Sequence, residues 1–406
     1  MTNLLDRLFG HASPAWRNGN PVREELFSVE RLEEHARSLA AAQLVTLKPI
    51  RVDSLVRRLA DNAAVLLDAY RSTVKAVDDG SAITPAAEWL IDNYYLVERQ
   101  IREIRTDLPP GYYRQLPKLA GGPFAGYPRV FGLTWAFVAH TDSHFDSEML
   151  CRFIDAYQDV QPLTIGELWA VSISLRIVLV ENLRRLAARI VHSRAERQRA
   201  DRIADRLLGA GGRAPEPAAV VLADLAGAPV SDALAVQVVH RLRDQAASIT
   251  QALTWLDQRL AARGTTADAA VHDEQQRQAT GNVTVRNIIT SMRLISDVDW
   301  LELFERVSLV DRVLAADSGF ADMDFPTRNL YRNALEKLAL GSKRAELDVA
   351  QSVVRAAKAA MSAISGQERN RRTDPGYYLL AGGRCAFEAS IGFRPPLRIW
   401  LARWSR

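Results

Sequence analysis

Apolar residues recur at helical spacing along almost the whole chain, and no alternating polar and apolar run long enough for a sheet competes with them. In "RVDSLVRRLADNAAVLLDAYRSTVKAV", Leu55, Leu59, Leu66 and Tyr70 repeat along one face, and Gly80 ends the run. Ser28 heads "SVERLEEHARSLAAAQ" with Arg31 where a capping box would hold Glu, which predicts a partial cap. Thr84 caps the next helix and Pro85 sits in its first turn, where a missing N–H costs nothing; Pro109 and Pro110 stop it. Thr164 opens the longest run, which reaches "GAGG" at 209. Its first half is apolar and its second half largely Arg, Ala and Glu, so the distal part is expected to leave the core. The expected fold class is all-α, an extended multi-helix array in two helical subdomains with no sizeable sheet.

Breaks in the pattern divide the chain. Residues 1–24 read as an N-terminal extension, 25–208 as a helical subdomain, 218–366 as a second one, and 367–406 as a basic terminal helical segment. Between the two subdomains, "GAGGRAPEP" at 209–217 reads as a linker, because Gly and Pro without apolar anchors cannot pack. Inside the first subdomain, residues 116–128 hold Gly121, Gly122, Gly126 and three prolines, which predicts a structured loop. Pro-Gly-Tyr-Tyr occurs at 110–113 and again at 375–378, each time followed by Ala-Gly-Gly. Two copies are too few for a solenoid and read as two similar helix entries whose tyrosines dock on neighbours.

Composition places the chain among ordinary folded proteins, 48% hydrophobic and 25% charged. No N-terminal apolar run is long enough for a signal peptide, so secretion is not expected. The most apolar stretch, "LWAVSISLRIVLVENL", carries Arg176 in its middle, with Glu167 and Glu181 flanking it. A spanning helix needs about 20 mostly apolar residues, so this one reads as a buried helix of a soluble body. Cys151 and Cys385 are far apart and form neither a disulfide framework nor a metal-ligand spacing. The net charge is +4, and the segment from Gln367 onward alone carries +5. That basic, Trp-containing end, "RPPLRIWLARWSR", reads equally as a contact for anionic lipid headgroups or as a solvated terminal helix.

The pattern that raises chemistry is "AHTDSHFD", with His140, Asp142, His144 and Asp146 on alternate positions. His140 and His144 would share a face if one helix ran through both, as metal ligands require. The apolar period ends near Ala139, however, and a new one starts at Met149, with Asp146 in the N-cap position. Asp142 and Ser143 are turn formers that satisfy their own backbone. The octet therefore reads as a polar helix–turn–helix joint, with no metal ligand assigned. No catalytic residue is assigned either: phosphate-binding Gly loops, zinc-protease pairs and Gly-x-Ser-x-Gly elbows are missing. Asp297/Asp299 and Asp322/Asp324 read as caps or surface charges. The arginine-rich helix "RLAARIVHSRAERQRADR" has Glu196, Asp201 and Asp205 interleaved with its charges, which argues against nucleic acid and for i,i+4 pairs on a solvated face.

Several long blocks resemble the N-terminal region of the bacterial cyclic β-1,2-glucan synthases. They are "LPPGYYRQLPKLAGGPFAGYPRVFGLTWAFVAHTDSHFD", "QPLTIGELWAVSISLRIVLVENLRRLA", "TVRNIITSMRLISDVDWLELFERVSLVDRVL" and "MDFPTRNLYRNALEKLA". The terminal "GYYLLAGGRCAFEASIGFRPPLR" is similar to the piece preceding the family's first membrane span. The resemblance runs from about residue 25 to the end. It implies a large inner-membrane enzyme that builds β-1,2-glucan from UDP-glucose, with a divalent metal in its transferase domain, and then cyclises and trims it.

On this resemblance the sequence is expected to stop before the membrane spans, the glycosyltransferase and the phosphorylase-like domain. The expectation is therefore a cytosolic accessory region with no catalytic centre or cofactor of its own. Its expected partners are the glycosyltransferase and membrane portion of a synthase, a glucan chain, and the inner face of the inner membrane. Arg394, Arg398, Arg403 and Arg406 would meet the membrane. Tyr112, Tyr113, Tyr127 and Trp135 would offer aromatic faces to glucan, with His140, Asp142, His144 and Asp146 as hydrogen-bonding partners. The competing expectation is an independent, non-catalytic helical binding module, or a truncated gene product.

Overall fold

A computed structural model of the chain describes residues 19–210, 214–223, 230–242, 250–316, 318–363 and 372–394. The described residues form eighteen α-helices and one two-stranded ribbon, so the all-α expectation holds. In order they are α1 (Val29–Ala42), β1 (Val45–Thr46), α2 (Leu55–Asp78), α3 (Pro85–Asp92), α4 (Tyr94–Asp107), α5 (Pro110–Gln115) and β2 (Lys118–Leu119). Next come α6 (Arg129–His140), α7 (Ser147–Gln158), α8 (Ile165–Leu208), α9 (Ala218–Ala223), α10 (Asp232–Leu242), α11 (Thr250–Ala261) and α12 (Ala267–Asp297). The remainder are α13 (Trp300–Val307), α14 (Leu309–Ala315), α15 (Phe325–Ser342), α16 (Glu346–Ala363), α17 (Pro375–Leu380) and α18 (Arg384–Ser390).

Helix starts follow the capping chemistry of the sequence. Ser28, Thr84 and Asp146 each accept a hydrogen bond from the backbone N–H three residues on. Thr164 and Glu167 form a reciprocal capping box at the start of α8. Asp299 and Asp324 cap α13 and α15, the cap reading proposed for those carboxylates. Both Pro-Gly-Tyr-Tyr copies open short helices, α5 and α17, with Pro in the first turn.

Apolar side chains gather into two clusters. The larger runs from Val22 to Ile391 and is centred on α6, every residue of which is buried, and on the first half of α8. α8 has 44 residues, hence a length of about 66 Å at the α-helical rise. Helices α2, α4 and α6 pack along it. Leu175, Ile177, Val178, Leu179 and Val180 are 2% exposed or less, and each such burial stabilises by about 1.5–3 kcal/mol. Ala200, Ile203, Ala204 and Leu207 of the distal half join the smaller cluster with side chains of α9, α10, α11 and the start of α12. That cluster draws on residues from both sides of segment 209–217.

The charges inside the most apolar stretch are held by partners. Glu167 takes two bonds from Arg129, at 2.8 and 2.6 Å. Glu181 accepts from Arg58, Asn62, Arg184 and Arg185, all at 2.7–3.0 Å. Among the described residues no helix is long and apolar enough to cross a membrane. Glu196, Asp201 and Asp205 turn out to face α10 or the residue before it, meeting Ser231, Gln237 and Arg241. The pairing along their own helix that the sequence pattern suggests is found for Glu196, whose carboxylate also lies 3.8 Å from Arg199, while Asp201 and Asp205 turn to α10 instead. The small ribbon pairs Val45–Thr46 antiparallel with Lys118–Leu119 and so ties loop 116–128 to the segment after α1. Gly126 has φ +82°, and a Cβ there would lie 2.7 Å from the Ile50 carbonyl oxygen, so both conformation and space require glycine.

Candidate functional site

The octet forms a joint between α6 and α7. α6 ends at His140, and Asp142 and Ser143 follow in the left-handed region, with φ of 50° and 62°. Two consecutive non-glycine residues there cost on the order of 1 kcal/mol each, and they persist only where surroundings fix them. Here the fixing is tertiary. The Thr284 hydroxyl donates to Asp142 Oδ1 at 2.7 Å, and Asn287 Nδ2 donates to the Asp142 carbonyl at 3.1 Å. Asn182 Nδ2 donates to Ser143 Oγ at 2.8 Å. Ser291 Oγ donates to the Ser143 carbonyl and accepts from the Phe145 N–H. Asp142 and Ser143 thus reach across to α8 and α12, which corrects the expectation that they satisfy only their own backbone.

The joint also holds the strap of chain that precedes α1. The Arg23 guanidinium lies 3.3 Å from Asp142 Oδ1, and Asn182 bonds both the N–H and the carbonyl of Val22. His140 lies 2.7 Å through Nδ1 from the Glu25 carbonyl, which makes Nδ1 the protonated nitrogen. Its Nε2 lies 3.3 Å from the Glu24 carboxylate. The imidazole stacks on Phe27 at 3.9 Å and meets His35 edge-on at 4.6 Å. Burial, then the neighbouring His140, hold His35 below the ordinary imidazole range, with Glu24 opposing them.

The four alternating residues therefore divide. His140 and Asp142 are buried and hold the strap and α12; His144 and Asp146 are exposed. Asp146 caps α7 through the Met149 N–H at 2.7 Å, the role its position predicts. His140 and His144 do not share a helical face, because α6 ends between them. Among the described residues no three His, Cys, Asp or Glu side chains gather where they could hold a metal ion.

Beside the joint lies a cavity of about 770 Å³, lined among others by Arg23, Arg189, Arg197, Glu274, Arg277 and Thr284. Arg277 reaches Asp232 at 2.6 Å and Glu274 at 3.4 Å, and Arg197 lies 4.0 Å from Glu274. Burial, then the charge of Arg277, lower the proton affinity of Arg189. Cationic and anionic groups thus alternate around the wall, and no single sign dominates it.

The four aromatic residues named for glucan contact do not converge on this cavity. Tyr127 and Trp135 are core side chains, 1% and 7% exposed, and Arg185 sits 5.0 Å over the Trp135 ring. Tyr113 is half-buried, with Lys118 Nζ 3.8 Å over its ring. Burial pushes that lysine down to about 8. Tyr112 donates its hydroxyl to the Gly166 carbonyl at 2.5 Å and lines a different, open groove of about 590 Å³ with Trp169, Trp300 and Phe304. Of the basic residues named at the C-terminal end, Arg394 is exposed, and Arg398, Arg403 and Arg406 lie outside the described residues.

Sequence reasoning missed Thr284, Asn287 and Ser291, the α12 residues that close the joint. A signal for them exists: they recur at spacings of three and four, a polar stripe on a helix whose Val285, Ile288, Ile289 and Met292 are buried. Asn182 carries no such signal, since it closes the apolar run of α8 beside Glu181 and belongs to no polar stripe that points to Val22 or Ser143.

No protein-family model matches the chain. The cyclic β-(1,2)-glucan synthase NdvB of Rhizobium meliloti (strain 1021) is 36% identical to it over 376 residues. The aligned region covers 93% of this chain and 13% of that much longer protein. Over nearly its whole length the chain is thus similar to a portion of a cyclic β-(1,2)-glucan synthase.

Proposed function

We propose that this chain is the N-terminal accessory region of a cyclic β-1,2-glucan synthase, standing at the cytoplasmic face of the inner membrane. In this reading it packs against the membrane glycosyltransferase portion and orients it, and the reaction centre lies in that partner. The observation that carries the reading is the 36% identity, over 93% of this chain, to a small portion of a synthase. Two features of the fold agree with a supporting role. The joint invests its buried polar groups in fixing a left-handed turn and a strap. α8 runs unbroken through both apolar clusters and gives the body a stiff axis. The exposed Arg394 and the arginines that follow it supply positive charge for an anionic membrane surface.

Co-purification tests this directly. The tagged chain, co-expressed with the remaining portion of a homologous synthase, is expected to be recovered with it from detergent extract and to raise its glucan synthesis. Recovery of the chain alone, with synthesis unchanged, overturns the accessory role and leaves an independent helical binding module.

A further inference from the structure

We propose that the open groove between α8, α13 and the α4–α5 corner is an oligosaccharide-binding site, with Tyr112, Trp169 and Trp300 as its aromatic faces and Arg176 as its hydrogen-bonding floor. The choice of glucan as ligand rests on the accessory-region reading above; the groove itself is drawn from geometry alone. Tyr112, Trp169 and Trp300 are each half-buried along the groove, so each leaves part of a ring open to it. Phe304 backs Trp169 in a near-parallel stack at 4.2 Å and 11°. Trp300 is pinned by its indole N–H to the Ile295 carbonyl at 2.9 Å. Rings held by such contacts lose little freedom when a ligand stacks on them.

Arg176 supplies the second, independent observation. It is 8% exposed and lines the groove, and its Nε–H has no hydrogen-bond partner. Its nearest carboxylates are Asp107 at 3.5 Å and Glu103 at 3.6 Å, both through Nη1. Those two charges offset the guanidinium, so the site does not select an anion. A buried donor without a partner costs about 1–3 kcal/mol. That nitrogen is covered by protein atoms, so a ligand hydroxyl relieves the cost once the guanidinium turns toward the groove, whereas an apolar side chain laid over Arg176 would leave it in place. The ligand that fits is therefore neutral, rich in hydroxyl groups, and equipped with apolar faces for the rings. A pyranose chain has all three properties.

The test titrates the full chain with linear β-1,2-gluco-oligosaccharides, with β-1,4-linked ones as controls, by calorimetry and tryptophan fluorescence. Binding of the β-1,2 series is expected, and Trp300→Ala and Arg176→Met should each weaken it by about tenfold. Trp169→Phe, which keeps a ring on Phe304, guards against loss of fold and should weaken binding by about threefold. Circular dichroism and the thermal midpoint report the fold of every variant. Absence of binding by the wild-type chain, or equal affinity in all three folded variants, overturns the site. If such a chain still co-purifies with the synthase, the accessory reading stands while the groove inference falls; oligosaccharide binding without co-purification gives the reverse. Tryptophan shielding by the synthase portion, with none by oligosaccharide, makes the groove a protein-docking surface and also overturns the proposal.

Discussion

The two halves of α8 carry the same kinds of charged residue in opposite settings. In the first half, Glu181 is 1% exposed and takes bonds from three guanidinium groups and an amide. In the distal half, Asp201 and Asp205 meet Arg241 with a third or more of each side chain in solvent. The contrast teaches that an ion pair's distance does not set its worth. A buried charge stripped of its partners keeps its desolvation cost, whereas an exposed one falls back on water.

Glu181→Gln breaks the comparison at its strongest point. It leaves Arg58 and Arg185 facing a neutral amide inside the core, and a loss of about 3–5 kcal/mol in urea unfolding is expected. The pH dependence sharpens it. Burial acts to raise the proton affinity of Glu181, but the bonds and charges of Arg58, Arg185 and Arg184 outweigh it and pull the carboxyl down from 4.5 to about 2. Its folded value lies below the unfolded one, so its contribution is complete above 4.5 and is lost as pH falls toward 2.

The next effect in size has the opposite sign and sits at the start of the same helix. Glu346 accepts from the Ile165 N–H at 2.6 Å, but burial, reinforced by Glu336 and Glu167, pushes its carboxyl up to about 7. The folded state then holds the proton more tightly than the unfolded one. Stability from this group is complete below 4.5 and declines as pH rises through 7. Glu346→Gln is expected to stabilise the chain by on the order of 2 kcal/mol at pH 8 and to change little at pH 4. An unchanged unfolding curve at pH 8 would remove Glu346 from this account. The smallest effect belongs to the distal half: Asp205→Ala should cost no more than about 1 kcal/mol and should shrink further in 1 M salt.

What the sequence made legible was local. Caps at Ser28, Thr84, Asp146 and Thr164 depend on residues three apart, and each is found where the pattern puts it. The resemblance to the glucan synthases was likewise carried by contiguous blocks and is matched by the comparison. What escaped was distant in sequence. Nothing near Asp142 announces Thr284 or Asn287, and nothing near Trp169 announces Trp300 or Phe304. Residue type misled for Tyr127 and Trp135, because an aromatic ring suits a core as well as a ligand face, and only packing separates the two uses.

The left-handed pair at Asp142 and Ser143 has a consequence for synthesis on the ribosome. A nascent chain that has emerged as far as Leu208 already contains α6, α7 and all of α8, yet lacks Thr284, Asn287 and Ser291. Until those three arrive, the bend has no α12 donor to hold it, so it settles late, 142 residues or more after the bend itself has been translated, and long-range closures of this kind are slow.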